Sequence, residues 1–291
     1  MFKNSGLLAV QSPTSGGIQI SGGFANYNSK TNTLTGGTYN LAGWLQFDNA
    51  NLVTNAANLT LAGNGQILDQ NGANGLANFA NNSSKGTFTA SGGQLFTTGG
   101  TFTNAGKLTV GQQSTFTIGN SSTNYNQSAT KASTTVDGNL TVPAGGLANI
   151  AGGTLQGAGF FSGNVSVGNA SGAAATLIVG DSTKVSSTIY MYNDYTQLAT
   201  GVMDVQIGGT NPGTQYSQLN VTGPVNLAGT LNIALINKFV PQLGQTFTIV
   251  NAPSGITGTF ATVNGTKING NEQFAISYNS DSVVLTVESG R

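Results

Sequence analysis

Residues 86–119 read GTFTASGGQLFTTGGTFTNAGKLTVGQQSTFTIG, and this stretch decides the fold. It breaks into short units: Thr87-Phe88-Thr89, Gln94-Leu95-Phe96-Thr97, Thr101-Phe102-Thr103, Lys107-Leu108-Thr109-Val110 and Ser114-Thr115-Phe116-Thr117-Ile118. Polar and apolar residues alternate within each unit, as in a strand with one dry face and one wet face. Gly92-Gly93, Gly99-Gly100, Asn104-Ala105-Gly106, Gly111 and Gly119-Asn120 separate them. Turns this short need backbone conformations that Gly and Asn tolerate. Strands of three to five residues are too short for an ordinary sandwich. They suit the coils of a parallel β-helix, about twenty residues each, with every coil stacked on the last. Phe88 and Leu108 then stand one coil apart and stack in the core.

The same grammar runs outward from this stretch. Upstream lie Thr33–Leu41 and Asn58–Gly63; downstream lie Thr135–Val142, Leu147–Ile150 and Asn164–Val167. Residues 120–133 read as an inserted loop. Near Gly213 the strands lengthen, which divides the chain into solenoid repeats over residues 1–212 and terminal β-rich rungs with a cap over residues 213–291. An end rung exposes strand edges and an open core, so a cap is expected there.

Composition narrows the function. Charged residues make up 6% of the 291 residues, against about 25% in a typical domain. Lys+Arg and Asp+Glu number 9 each, with no net charge and no basic patch for nucleic acid. There is no cysteine, which fits an exported bacterial protein, and no histidine, which excludes Ser-His-Asp chemistry and histidine metal sites. No cofactor is expected. No apolar run is long enough for a membrane-spanning helix. Met1 to Val10, MFKNSGLLAV, reads like the middle of a strand–turn unit, so the chain is expected to be a fragment or to lack its natural N-terminus.

Tyr216–Gly223, Leu227–Ile233, the Phe239/Pro241/Gly244/Phe247/Ile249 pattern and Gly258-Thr259-Phe260-Ala261 together resemble the end of the β-helix in autotransporter-type and haemagglutinin-like bacterial exoproteins. Gly37-Thr38-Tyr39-Asn40 and Asn104–Val110 are similar to the strand repeats of those proteins. The resemblance implies an all-β, right-handed parallel β-helix (a β-solenoid) with a C-terminal β cap, exported to the extracellular space or the bacterial cell surface. No outer-membrane barrel follows in this sequence, so anchoring by that route is not expected of this chain.

The chemistry-bearing residues are sparse. Asp48, Asp69, Asp137, Asp181, Asp194, Asp204, Asp281, Glu272 and Glu288 are scattered singly, as turn residues are. Asp194 and Asp204, ten residues apart, can sit on adjacent strands. Arg291, the only arginine, is terminal. Gly63–Asp69 echoes a calcium-binding nonapeptide once; a single copy reads as a turn, because such sites need stacked repeats. Tyr190, Tyr192 and Tyr195 partly alternate, and form either a glycan-contacting aromatic patch or packing beneath a loop. The Thr-x-Thr strands are solvated strand residues, or an ice-binding array in the sharper alternative. The expected function is a non-catalytic structural or adhesive segment that contacts glycans, host or abiotic surfaces, or other copies of itself. A polysaccharide-degrading β-helix and an ice-binding solenoid stay open as alternatives.

Overall fold

A computed structural model describes residues 1–11, 16–180 and 187–290; Asp181 and Arg291 lie outside the described residues. Every helix or strand among the described residues is a β-strand. The chain forms two compact units, 1–147 and 148–291. Each is a parallel β-helix whose coils present three faces.

In the first unit, the second face is built from Leu7–Val10, Thr33–Leu41, Asn58 to Ala62, Thr87–Ser91, Lys107–Val110 and Ser133–Val136, all parallel. Register places Leu59, Phe88, Leu108 and Thr134 in one inward column, each essentially without exposure. The expected pairing of Phe88 with Leu108 is therefore present. Outward beside it runs Thr60, Thr89, Thr109 and Thr135. Coil length varies: Thr87 pairs with Lys107, 20 residues on, whereas Asn58 pairs with Thr87, 29 residues on. The extra residues lie between Gln66–Leu68 and Asn81–Asn82, so the second-face ladder is not interrupted.

The core of this unit is aromatic. Phe79, Phe88, Phe102 and Phe116 form a cluster, with ring centroids 5.1 Å apart for Phe79–Phe88, 5.7 Å for Phe88–Phe116 and 5.1 Å for Phe102–Phe116. Such pairs add about 0.5–1.5 kcal/mol each beyond area burial.

Residues 120–133, expected as a loop, contain the strand Tyr125–Gln127, which pairs parallel with Phe102–Asn104. Its side chains decide this. Tyr125 and Gln127 both point inward and are fully buried around Asn126. Tyr125 Oη is hydrogen-bonded to Thr134 Oγ1, and Thr134 Oγ1 donates to Gln127 Oε1 at 2.6 Å.

A row of buried amides holds the corner between the second face and the first, whose strands include Asn81–Asn82, Phe102–Asn104 and Tyr125–Gln127 in this unit and Asn164–Val167 and Tyr195–Gln197 in the other. Asn55 Nδ2 donates to Asn82 Oδ1 (3.0 Å), Asn82 Nδ2 to Asn104 Oδ1 (2.9 Å), and Asn104 Nδ2 to Gln127 Oε1 (3.2 Å). Each amide also donates to the carbonyl that opens the next strand: Thr87 O, Lys107 O and Ser133 O. Buried polar groups are tolerable only when partnered, and here the ladder partners both itself and the bend. Gly106 sits in this corner because any Cβ there would meet Gly86 O at 2.2 Å and Ser83 O at 2.3 Å.

In the second unit, the second face runs through Gly153–Gly157, Ala175–Val179, Gly201–Ile207, Thr230–Leu235 and Thr262–Asn264. Leu155, Leu177, Met203 and Leu231 stack inward with no exposure. On the third face, parallel stacking ends at Thr246–Asn251. Ser282–Ser289 pairs with it antiparallel, and Glu272–Tyr278 pairs antiparallel with Ser282–Ser289. Phe274 closes the end edge-to-face on Phe247, 5.9 Å between centroids. This antiparallel sheet is the C-terminal β cap expected from the sequence.

Candidate functional site: an aromatic cleft on the third face

The third face of the second unit carries the site. Phe160–Ser162, Thr188–Met191, Gln218–Val221 and Thr246–Asn251 succeed one another in parallel register. Alternation along Thr188–Met191 sends Ile189 and Met191 into the core without exposure and turns Tyr190 out. The outward column is Phe160, Tyr190, Asn220, Asn251. Tyr192 follows on the same side as Tyr190.

The three aromatic side chains form an exposed group. Phe160 is 40% exposed, Tyr190 39% and Tyr192 49%. The Phe160 ring lies 5.3 Å from Tyr190 at 19° and 5.9 Å from Tyr192 at 1°. These rings leave apolar surface in water, beside inward positions that are fully packed.

A cleft of about 300 Å³ opens on the far side of the tyrosines from Phe160, where Tyr190 and Tyr192 face Asn220, Thr222, Asn251 and Pro253. The amides are fixed by one another. Asn251 Nδ2 donates to Asn220 Oδ1 (3.1 Å), Asn220 Nδ2 to Gln218 Oε1 (3.2 Å), and Gln218 Nε2 to Thr248 O (3.0 Å). Thr222 Oγ1 donates to Tyr192 O, pinning the tyrosine backbone. None of the residues lining the cleft is charged. It therefore offers ring faces and neutral hydrogen-bonding groups, the combination that fits a flat, uncharged, hydroxylated ligand.

Of the three tyrosines singled out from the sequence, Tyr190 and Tyr192 line this cleft and Tyr195 does not. Tyr195 is fully buried on the first face, and its hydroxyl donates to Gln197 Oε1 at 3.0 Å. Burial pushes its phenol well above the ordinary value. Tyr195 stands an odd number of residues after Tyr192, so alternation itself sets it on the opposite, inward side. Phe160 was not singled out. Its signal was Gly159-Phe160-Phe161-Ser162, where one of two adjacent aromatics must face outward in a strand.

The other singled-out residues fall elsewhere. Asp69 is a turn residue: its Oδ1 accepts from Asn71 N (2.9 Å) and Ala73 N (2.8 Å). Asp204 stands on Gly201–Ile207 and accepts from Asn232 Nδ2 at 2.7 Å; burial raises its carboxyl above the ordinary value and the Asn232 bond offsets part of that. Asp194 lies in the turn before Tyr195–Gln197. Thr103 pairs with Asn81 and Asn126, so its outward row is mixed. Among the described residues no three Asp or Glu side chains gather closely enough to hold a metal ion, and no helix is long and apolar enough to cross a membrane.

No protein-family model matches this chain, and no curated protein matches it.

Proposed function

We propose that this chain is the solenoid segment of a bacterial exoprotein, secreted or held at the cell surface, that adheres to neutral glycans without cleaving them. The observation that carries this is the cleft in which Tyr190 and Tyr192 face Asn220 and Asn251. A sugar ring seated there continues the stack begun by Phe160, with its hydroxyls on the amides and Thr222. Glycans, other surfaces and further copies of the chain all suit an adhesive solenoid; the neutral, amide-rimmed aromatic cleft favours glycans. Low charge, absence of cysteine and a parallel coil with a closed C-terminal end support the exported setting. Non-catalytic binding is supported by the cleft's chemistry, since glycoside cleavage uses a pair of carboxyl groups about 5–10 Å apart across the bond.

Affinity electrophoresis in gels containing neutral plant or bacterial polysaccharides tests it. Retardation by at least one of them, lost in Tyr190→Ala/Tyr192→Ala and unaccompanied by new reducing ends, is expected. Equal retardation of the double variant, or release of reducing sugar, refutes it.

A further inference from the structure

The third face of the first unit is broken. Gly17–Ile20, Trp44–Phe47 and Gln66–Leu68 make one three-stranded sheet, and Leu95–Thr97 begins another. The adjacent faces of the same two coils are in ladder contact, with Ala62 paired to Ser91 and Gly63 N donating to Ser91 O at 2.9 Å. The coils therefore part at this corner. The outer edge of Gln66–Leu68 is taken by the following segment, where Gly75 N donates to Ile67 O (2.8 Å). What opens between them is a slot of about 540 Å³. That falls within the range of about 300–1,000 Å³ usual for ligand sites.

One wall of the slot is a free strand edge. Leu95–Thr97 pairs in parallel with Thr115–Thr117, and the flanking bonds Thr115 N to Gln94 O and Thr98 N to Thr117 O fix the phase. In a parallel ladder, alternate residues direct their N–H and C=O to opposite sides. Gln94, Phe96 and Thr98 bond toward Thr115–Thr117, so the backbone groups of Leu95 and Thr97 face the slot. The Leu95 side chain, 75% exposed, stands beside them.

Gln94 is a second and independent sign. Its side chain is 7% exposed and lines the slot. Its Nε2 makes only a long bond to Leu95 O, 3.3 Å, and its Oε1 has no partner at all. A side-chain amide has the same donor and acceptor as a backbone amide. Gln94 thus stands in, poorly, for the strand that the broken face lacks.

We infer that this slot is a binding site for an extended, uncharged polypeptide segment, which adds as a strand along the free edge of Leu95–Thr97. The backbone spacing of Leu95 and Thr97 is that of a strand partner, and a free edge is a template for one. No residue lining the slot carries a charge, which selects a neutral segment. The site lies in a different unit from the aromatic cleft, and does not depend on the glycan reading.

The probe is a capped, fluorescent peptide of this chain's own residues 113–119, Gln-Ser-Thr-Phe-Thr-Ile-Gly, which includes the strand that Leu95–Thr97 already accepts on its other edge. Anisotropy with the full chain measures binding. Two N-methylated versions, blocked at Ser114/Phe116/Ile118 or at Thr115/Thr117, separate pairing from stickiness without altering the protein. Binding that falls at least about tenfold for one version, while the other keeps it, is expected of a strand using one edge. Thr97→Pro, which removes an N–H that faces the slot and spares the Thr115–Thr117 ladder, is expected to weaken binding with an unchanged melting temperature. No binding of the unmodified peptide, equal binding of both blocked versions, or displacement by cellohexaose overturns the inference.

Discussion

Asn82 and Asn104 lie one coil apart, and the side-chain amide of the first donates to Oδ1 of the second at 2.9 Å with neither residue reaching solvent. The contact is a link in a continuous row, because Asn82 also accepts from Asn55 and Asn104 also donates to Gln127. Asn82→Ala therefore removes one hydrogen bond each from Asn104 Oδ1, which keeps Gly106 N, from Asn55 Nδ2, which keeps Ala57 O and Thr87 O, and from the Lys107 carbonyl. Each lost buried bond costs about 0.5–1.5 kcal/mol net, so a loss of about 2 kcal/mol is expected in urea denaturation. Thr89→Ala, on the outward column of the next strand, is expected to stay within about 0.5 kcal/mol. Equal midpoints for the two variants would show that the row is incidental to stability.

Gly106 and Gly100 make a paired test of close approach. A Cβ at Gly106 meets two backbone carbonyls at 2.2 and 2.3 Å, whereas at Gly100 it meets nothing within 4 Å. Backbone cannot move aside as a flexible side chain does. Gly106→Ala is expected to cost about 1–3 kcal/mol through overpacking. Gly100→Ala is expected to be neutral or to stabilise by up to about 1 kcal/mol through the unfolded chain. Thermal melts of the two variants side by side decide it.

The parts of this fold that were legible in the sequence are those governed by alternation within one strand. Phe88 over Leu108, the inward Ile189 and Met191, and the outward Tyr190 all follow from counting by twos. Alternation does not follow mere nearness in sequence: Tyr195 stands three residues after Tyr192, an odd step, and faces the core. Alternation also gives no signal for an amide that is inward by design. Asn104 reads as a turn residue, yet it, Asn55 and Asn82 all lie in strands; their burial follows only from stacking, which brings residues 22 and 27 positions apart into contact. Tyr125–Gln127 was hidden for the same reason, since a buried Gln is legible only once the row it completes is known. The aromatic cleft joins Phe160 to tyrosines some thirty residues later, and only the coil length of that region could have aligned them.

Asp204 makes stability depend on pH in a defined direction. Burial raises its carboxyl above the ordinary 3.8 in the folded state, and the bond from Asn232 only partly offsets this. An acid whose folded pKa exceeds its unfolded one binds more protons when folded. Its contribution is thus most favourable below pH 3.8 and is lost as pH rises through the folded value. Asp204→Asn removes the charge and keeps an oxygen for Asn232. A melting temperature higher by roughly 1–3 °C at pH 7, with the gap closing toward pH 3, is expected on the usual scaling for a domain of this size. A gap that widens on acidification contradicts the assignment.

The buried phenols set the alkaline limit. Tyr125 and Tyr195 are fully buried, and burial raises both well above the ordinary 10.0. The Thr134 bond lowers Tyr125 only in part. The unfolded chain ionises these hydroxyls near pH 10 while the folded one keeps them neutral, so unfolding releases protons above that pH. Stability from this source is whole below pH 10 and falls as pH rises beyond it. Titration followed by phenolate absorbance is expected to show part of the tyrosine signal appearing only in a cooperative step that coincides with loss of β-sheet circular dichroism. Tyr195→Phe forfeits the bond to Gln197 Oε1 at neutral pH and removes one late-ionising group. It is therefore expected to be less stable than the parent at pH 7, with the difference shrinking above pH 10. If both tyrosines instead titrated smoothly with the sheet intact, the packing of the first face in each unit would be looser than its full burial requires.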